Sequence, residues 1–128
     1  MFDNIKWEEI INNILYYVKR WNYLIVKFDI SKTSYSIKYY YSKNGNNYVD
    51  LYNAIDDEKS SQLFDNIMPE LKKITEKFNG HKEKMFITMK VQKTGNVKII
   101  YSYIKEGNKL PFDAGYKYLK LSEEDKNI

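Results

Sequence analysis

No cysteine occurs in the chain, which removes disulfides, thiolate metal ligands and cysteine nucleophiles at one stroke. Histidine occurs once, as His81, so a single chain holds neither a histidine-based triad nor a two-histidine metal site. Arginine also occurs once, as Arg20, although the net charge is +4. The basicity is lysine, a point charge without the planar fork that reads phosphate or guanine in a bidentate manner. The five glycines, at 45, 80, 95, 107 and 115, are too scattered to cradle phosphates, and no serine sits in a G-x-S-x-G elbow. Met1-Phe2-Asp3-Asn4 has no basic leader, and the apolar stretch from Ile10 to Val18 is interrupted by Asn12 and Asn13. Neither a signal peptide nor a membrane span is expected, and the reading is of a cytoplasmic protein with no membrane partner.

What is present is apolar and aromatic. Hydrophobic residues make up 43% of the 128 and aromatics 16%, with 13 tyrosines against two prolines. That is enough apolar surface to offset ordering entropy and close one core, and tyrosine suits the half-buried surface of a sheet. One α+β domain is expected over residues 1–121, with 122–128 as a mobile tail.

Trp7, Ile10, Ile11, Ile14, Leu15, Val18 and Trp21 recur at helical spacing and predict a helix from Asp3 to Trp21. Asp3 or Asn4 would cap it, Glu8 and Glu9 sit early, and Lys19 and Arg20 sit late, matching the helix dipole. Strands are predicted at Tyr23–Ile30, Ser34–Tyr41 and Tyr48–Tyr52, the last pair joined by an Asn44-Gly45 turn. Asp56-Asp57-Glu58 opens a second long helix with the stripe Leu63, Phe64, Ile67, Met68, Leu71, Ile74 and Phe78, closed by Asn79-Gly80. Pro69 lies within it and predicts a kink or restart near Met68. Met85–Gln92 and Asn96–Ile104 form a hairpin around Gly95, and Phe112–Leu121 reads as one or two helical turns. The expected architecture is a five-stranded, mostly antiparallel sheet with both helices on one face, in the order α-β-β-β-α-β-β plus a short C-terminal segment.

Alternation places Met85, Ile87, Met89, Val91, Val97, Ile99, Tyr101 and Tyr103 toward the core. The opposite face would carry Tyr23, Ile25, Lys27, Lys38, Tyr40, Phe86, Thr88, Lys90, Lys98, Ile100 and Ile104. A water-facing sheet side is normally polar, so aromatic and aliphatic groups rimmed by lysine suggest a contact surface, unless the C-terminal segment covers it. Tyr23, Ile25, Tyr40, Phe86 and Ile100 are the candidate partner-binding residues there, and Asp56, Asp57 and Glu58 offer a separate acidic patch. The acidic run lacks the alternating ligands and central glycine of a calcium loop, and helix N-terminal electrostatics accounts for it. No catalytic residue, metal ligand or cofactor site emerges, so the chain reads as a binding protein rather than an enzyme. An exposed edge strand would also permit a homodimer.

Phe64-Asp65-Asn66 leading a helix that ends Glu76-Lys77-Phe78, the Thr88-Met89-Lys90-Val91 strand, Gly95 in its hairpin and Tyr101-Ser102-Tyr103 resemble the YezG-type immunity proteins. The closing Gly115-Tyr116-Lys117-Tyr118-Leu119-Lys120-Leu121 is similar to that family's Tyr-Lys-Tyr-Leu segment, and the resemblance spans nearly the whole chain. Phe86 stands where the family usually has tryptophan, and this chain is basic where many members are acidic. The resemblance implies a cytoplasmic antitoxin that binds a cognate bacterial toxin, often a nuclease. Asp56, Asp57 and Glu58, or Glu123, Glu124 and Asp125, would then supply local acidic patches toward a basic toxin. The alternative reading is a small lysine-rich domain for single-stranded nucleic acid, with bases stacked on tyrosine and phosphates met by lysine. No RNP-like run supports it.

Overall fold

The computed structural model describes residues 4–31, 34–76, 82–105 and 112–121, with 82, 83, 105, 112–117 and 120 described through their backbone alone. The described elements, in chain order, are α1 (Trp7–Leu15), β1 (Tyr23–Ser31), β2 (Tyr35–Ser42), β3 (Val49–Asp50), α2 (Leu51–Ala54), α3 (Asp57–Glu76), β4 (Lys82–Gln92), β5 (Asn96–Lys105) and β6 (Phe112–Lys120). The strands form one antiparallel sheet in the order β3-β2-β1-β4-β5-β6. The α+β class holds, with six strands where the residue pattern predicts five.

The sixth strand is the clearest departure. Phe112–Lys120 pairs with β5 from Tyr103↔Phe112 to Asn96↔Lys120, where helical turns are expected. Tyrosine at 116 and 118 favours a pleated surface, and β5 offers a free edge whose backbone groups need partners. The segment therefore widens the sheet instead of covering its face. The third strand is also shorter than expected, because Asp50 accepts the Tyr52 N–H through its carboxylate at 3.0 Å and starts the helical turn α2.

The first helix ends six residues early. Tyr17 N–H bonds Ile14 O and Val18 N–H bonds Leu15 O, both at 3.1 Å, so the chain tightens to i→i+3 spacing. Val18 and Trp21 still reach the core from that turn, while Lys19 and Arg20 lie beyond the helix rather than in its last turn. The N-cap is Lys6, with no side-chain cap of its own. Its N–H is satisfied from another element, by Glu70 Oε2 of α3 at 2.9 Å. Asn4 does not cap, and Asp3 lies outside the described residues.

The long second helix runs as one α-helix through Pro69, without the predicted restart. Phe78, Asn79-Gly80 and His81 lie outside the described residues, as do the tail 122–128 and its acidic Glu123, Glu124 and Asp125. One core joins helices and sheet: Trp7, Ile10, Ile11 and Ile14 of α1 and Leu63, Ile67, Leu71 and Ile74 of α3 meet Leu24, Val26, Phe28, Ile30, Ile87 and Ile99. Each large side chain buried in this way contributes about 1.5–3 kcal/mol before entropy costs. Trp7 lies against Tyr101 with ring centroids 6.3 Å apart. Tyr35, at the edge, stacks on Phe64 at 6.0 Å. Both helices thus cover the sheet side that carries the even-numbered residues of β1, and no described element lies over the other side.

Candidate binding face

The open side of the sheet is built by register. Antiparallel pairing aligns Tyr40, Ile25, Lys90, Lys98 and Tyr118 in one row across β2, β1, β4, β5 and β6. The next row holds Lys38, Lys27, Thr88 and Ile100, and the one beyond it Ser36, Asp29, Phe86 and Ser102. Tyr23, Ile25, Tyr40, Phe86 and Ile100, all predicted for this face, are half-buried there and share one surface. Period-2 alternation held because a slip of one residue would have turned Val26, Phe28 and Ile87 into water.

Lysine dominates the face. Lys27 stands directly opposite Lys38, and Lys90 directly opposite Lys98. Opposed side chains on neighbouring strands have Cβ atoms about 4.5–5.5 Å apart, and like charges there are destabilising by up to about 1 kcal/mol per pair. Lys90 is also the diagonal neighbour of Lys27, because Lys27 pairs with Thr88. Among the described residues, Lys27, Lys38 and Lys90 have no carboxylate within ion-pair distance, and Asp29 is held by Lys84 at 3.6 Å. Instead, lysines lean over rings: Lys27 Nζ lies 5.9 Å from the Tyr40 centroid, Lys84 Nζ 5.9 Å from Phe86 and Lys98 Nζ 5.7 Å from Tyr118. Such contacts contribute about 0.5–1 kcal/mol each at an exposed site. A shallow hollow of about 390 Å³ opens between Lys27, Lys38, Asp29, Ser36, Phe86 and Thr88, so a carboxylate of the chain itself stands beside the two lysines.

The acidic run lies apart from this face, in the helix layer. Asp56 Oδ1 accepts the Lys59 N–H at 2.8 Å and caps α3, while Asp57 and Glu58 occupy its first turn. All three are exposed, and capping with dipole complementarity accounts for their position. A second basic concavity, of about 870 Å³, lies at one end of the helix layer between Lys19, Arg20, Lys43, Lys59, Tyr16 and Tyr41. A third groove, of about 570 Å³, runs between α1 and α3 and is lined by amides and Tyr16 and Tyr17. No group of three or more metal-ligating side chains converges among the described residues.

No family model, no curated protein and no solved structure matches the chain. No helix among the described residues is long and apolar enough to cross a membrane.

Residue patterns alone missed two parts of the face. Tyr118, 65% exposed, stands in β6, a segment that residue spacing predicts to be helical turns and so leaves out of the sheet. The opposition of Lys27 to Lys38 needed the register of the β1–β2 hairpin, closed between Ser31 and Ser34, and that of Lys90 to Lys98 needed the register of the hairpin at Thr94-Gly95. The juxtaposition of the two pairs needed the β1–β4 pairing, for which a single sequence carries no local signal.

Proposed function

We propose that this chain is an immunity protein that neutralises a cognate toxin by binding and occluding it. The observation that carries the reading is the open sheet face, a preformed surface with half-buried Ile25, Tyr40, Phe86 and Ile100 set among lysines. Strands about 4.8 Å apart and rising about 3.4 Å per residue give the five long strands, β2, β1, β4, β5 and β6, a face of roughly 24 Å by 30 Å, the two-residue β3 adding little. That matches the roughly 800 Å² per partner of a stable protein complex. Aromatic and aliphatic groups within a polar surround are the composition of an interface centre. The resemblance of the sequence to YezG-type immunity proteins supports the same reading and implies a protein of the producing cell whose partner is a toxin.

Co-expression with the toxin encoded beside it tests the proposal. Growth should be restored and a one-to-one complex should elute on size exclusion; unrestored growth with no complex would overturn it. The lysines on an open sheet also favour a second reading, a platform for single-stranded nucleic acid. Anisotropy with labelled single-stranded DNA and RNA at low salt checks it, and binding that falls steeply with salt would support it.

A further inference from the structure

We infer that the pocket between β2 and α3, walled by Tyr39, Tyr52, Phe64 and Asp65, receives a lysine or arginine side chain of a protein partner. The inference deepens the proposed neutralising role and rests on it for the partner being a protein. The pocket has a volume of about 340 Å³ and lies on the helix side of the sheet. Its aromatic walls come from separate elements, Tyr39 from β2, Tyr52 from α2 and Phe64 from α3. Among the described residues, no ammonium of the chain lies over any of these rings, in contrast to Tyr40, Phe86 and Tyr118 on the open face. Tyr35 stacks on one side of Phe64, while Tyr52 is 61% exposed. A cation from outside therefore meets rings that no cation of the chain has claimed.

Two polar groups set the chemistry of the pocket. Asp65 has Ser61, Gln62, Met68 and Pro69 at i±3 and i±4, none of them cationic. No cation stands within ion-pair distance of it among the described residues, whereas Glu70 on the same helix is paired with Lys73. Asp57 and Ser61 precede Asp65 at four-residue spacing, so that side of α3 carries a second carboxylate. Tyr39 supplies the other group. It is 6% exposed, and its hydroxyl has no hydrogen-bond partner among the described residues. The hydroxyl is not sealed in the core, and it opens on the hollow that its ring lines. Burial keeps the phenol neutral, and its oxygen can accept from an ammonium or guanidinium. A basic side chain lodged here would satisfy both the phenol and Asp65. The mouth of the pocket favours a protein over a free amine. β3 pairs only with Tyr40 and Tyr41 of β2, which leaves the backbone edge of residues 35–39 open to an extended segment. A segment paired there lies within side-chain reach of the pocket, while a small free cation would approach against a net charge of +4.

The test uses the full chain at about 0.1 M salt, titrated with a short capped peptide that has a central lysine among threonines and valines, and with its counterpart that has norleucine at the centre. Backbone amide shifts should map to β2, α2 and the first half of α3, and the lysine peptide should bind about fivefold or more tightly than the norleucine peptide. Asp65→Asn should bring the two peptides within about twofold of each other, and Tyr52→Ala should weaken the lysine peptide by about threefold. A control variant, Glu76→Gln, removes the same charge from the far end of α3 and should change binding by less than about twofold. Circular dichroism establishes that each variant is folded. Equal binding of the two peptides, no binding of either, shifts on the open sheet face instead, or an effect of Glu76→Gln equal to that of Asp65→Asn would overturn the inference. In the co-expression assay, rescue by Tyr52→Ala/Asp65→Asn equal to wild type would overturn the pocket as a contact and leave neutralisation standing. No rescue by wild type, with the lysine peptide still mapped to the pocket, would do the reverse.

Discussion

Replacing Glu70 should destabilise the fold in a way that vanishes in acid. Its side chain is 8% exposed and its carboxylate serves as the missing cap of α1. Oε2 accepts the Lys6 N–H at 2.9 Å, Oε1 accepts from Lys73 Nζ at 3.0 Å, and Lys73 Nζ also reaches Asn4 O at 3.5 Å. A hydrogen bond from a backbone N–H to a charged acceptor is worth about 1.5–3 kcal/mol. The Lys73 side chain is 34% exposed, so solvent screening holds that pair to about 1 kcal/mol or less. Glu70→Ala should therefore cost about 2–4 kcal/mol, and Glu70→Gln, which keeps one acceptor, about 1–2 kcal/mol. Urea denaturation would show the Ala variant with its midpoint lowered by about 1–2 M at unchanged slope.

The pH dependence isolates the charge. Burial alone pushes the Glu70 carboxyl up, but the Lys6 N–H and the Lys73 ammonium together outweigh it and hold it below the ordinary value. A folded value that is depressed contributes stability in full above the unfolded pKa of about 4.3, and loses it as pH falls through the folded value. The gap between wild type and Glu70→Gln should be widest near neutrality and close below about pH 4. A gap that is the same at neutral pH and in strong acid, or an Ala variant that costs less than about 0.5 kcal/mol, would refute the reasoning.

Burial raises the Tyr39 phenol well above its ordinary value, so its neutral form adds stability that is intact below the unfolded pKa of about 10 and lost as pH climbs toward the folded one. Absorbance at 295 nm should show the Tyr39 phenol ionising only as the chain unfolds in alkali, and Tyr39→Phe should reduce the amplitude of that step by one phenol. Gly45 has φ +81°, and a Cβ there would lie 3.2 Å from Tyr23 Cε2, so Gly45→Ala should cost about 1–2 kcal/mol by urea titration. Exposed Pro69 lies within a continuous helix. Pro69→Ala restores a backbone donor and should raise the melting temperature; a fall would show that the proline ring relieves some other constraint.

The elements that could be read from residue order were those with a dominant local signal. The stripe from Trp7 to Trp21 marked core residues correctly, since all seven are buried, yet overstated the helix. Core-facing residues can keep the same spacing through a tight turn. Strands β1, β2, β4 and β5 followed from alternation because each has one buried side to preserve. The C-terminal strand was missed because its Gly-Tyr-Lys-Tyr pattern is ambiguous until β5 offers an edge. The cap on Lys6 was illegible in principle, since its partner comes from α3. For the binding face, composition gave the residue types and the hairpins gave the pairs. Only the pairing of β1 with β4 brought the pairs together.

That pairing also divides the molecule in time. Tyr23 finds Gln92 and Ser31 finds Lys84 across the whole excursion through β2, β3, α2 and α3. Each hairpin can close early on short loops, whereas the central seam requires the most loop-closure entropy before any contact repays it. Until the seam closes, β1 and β4 each expose a bare edge to any neighbouring chain. Two half-sheets meeting late along a seam also make a natural cut site. Chains severed between α3 and β4 should reassemble at β1 and β4, which makes the centre of the sheet the place where this protein could be split and rejoined.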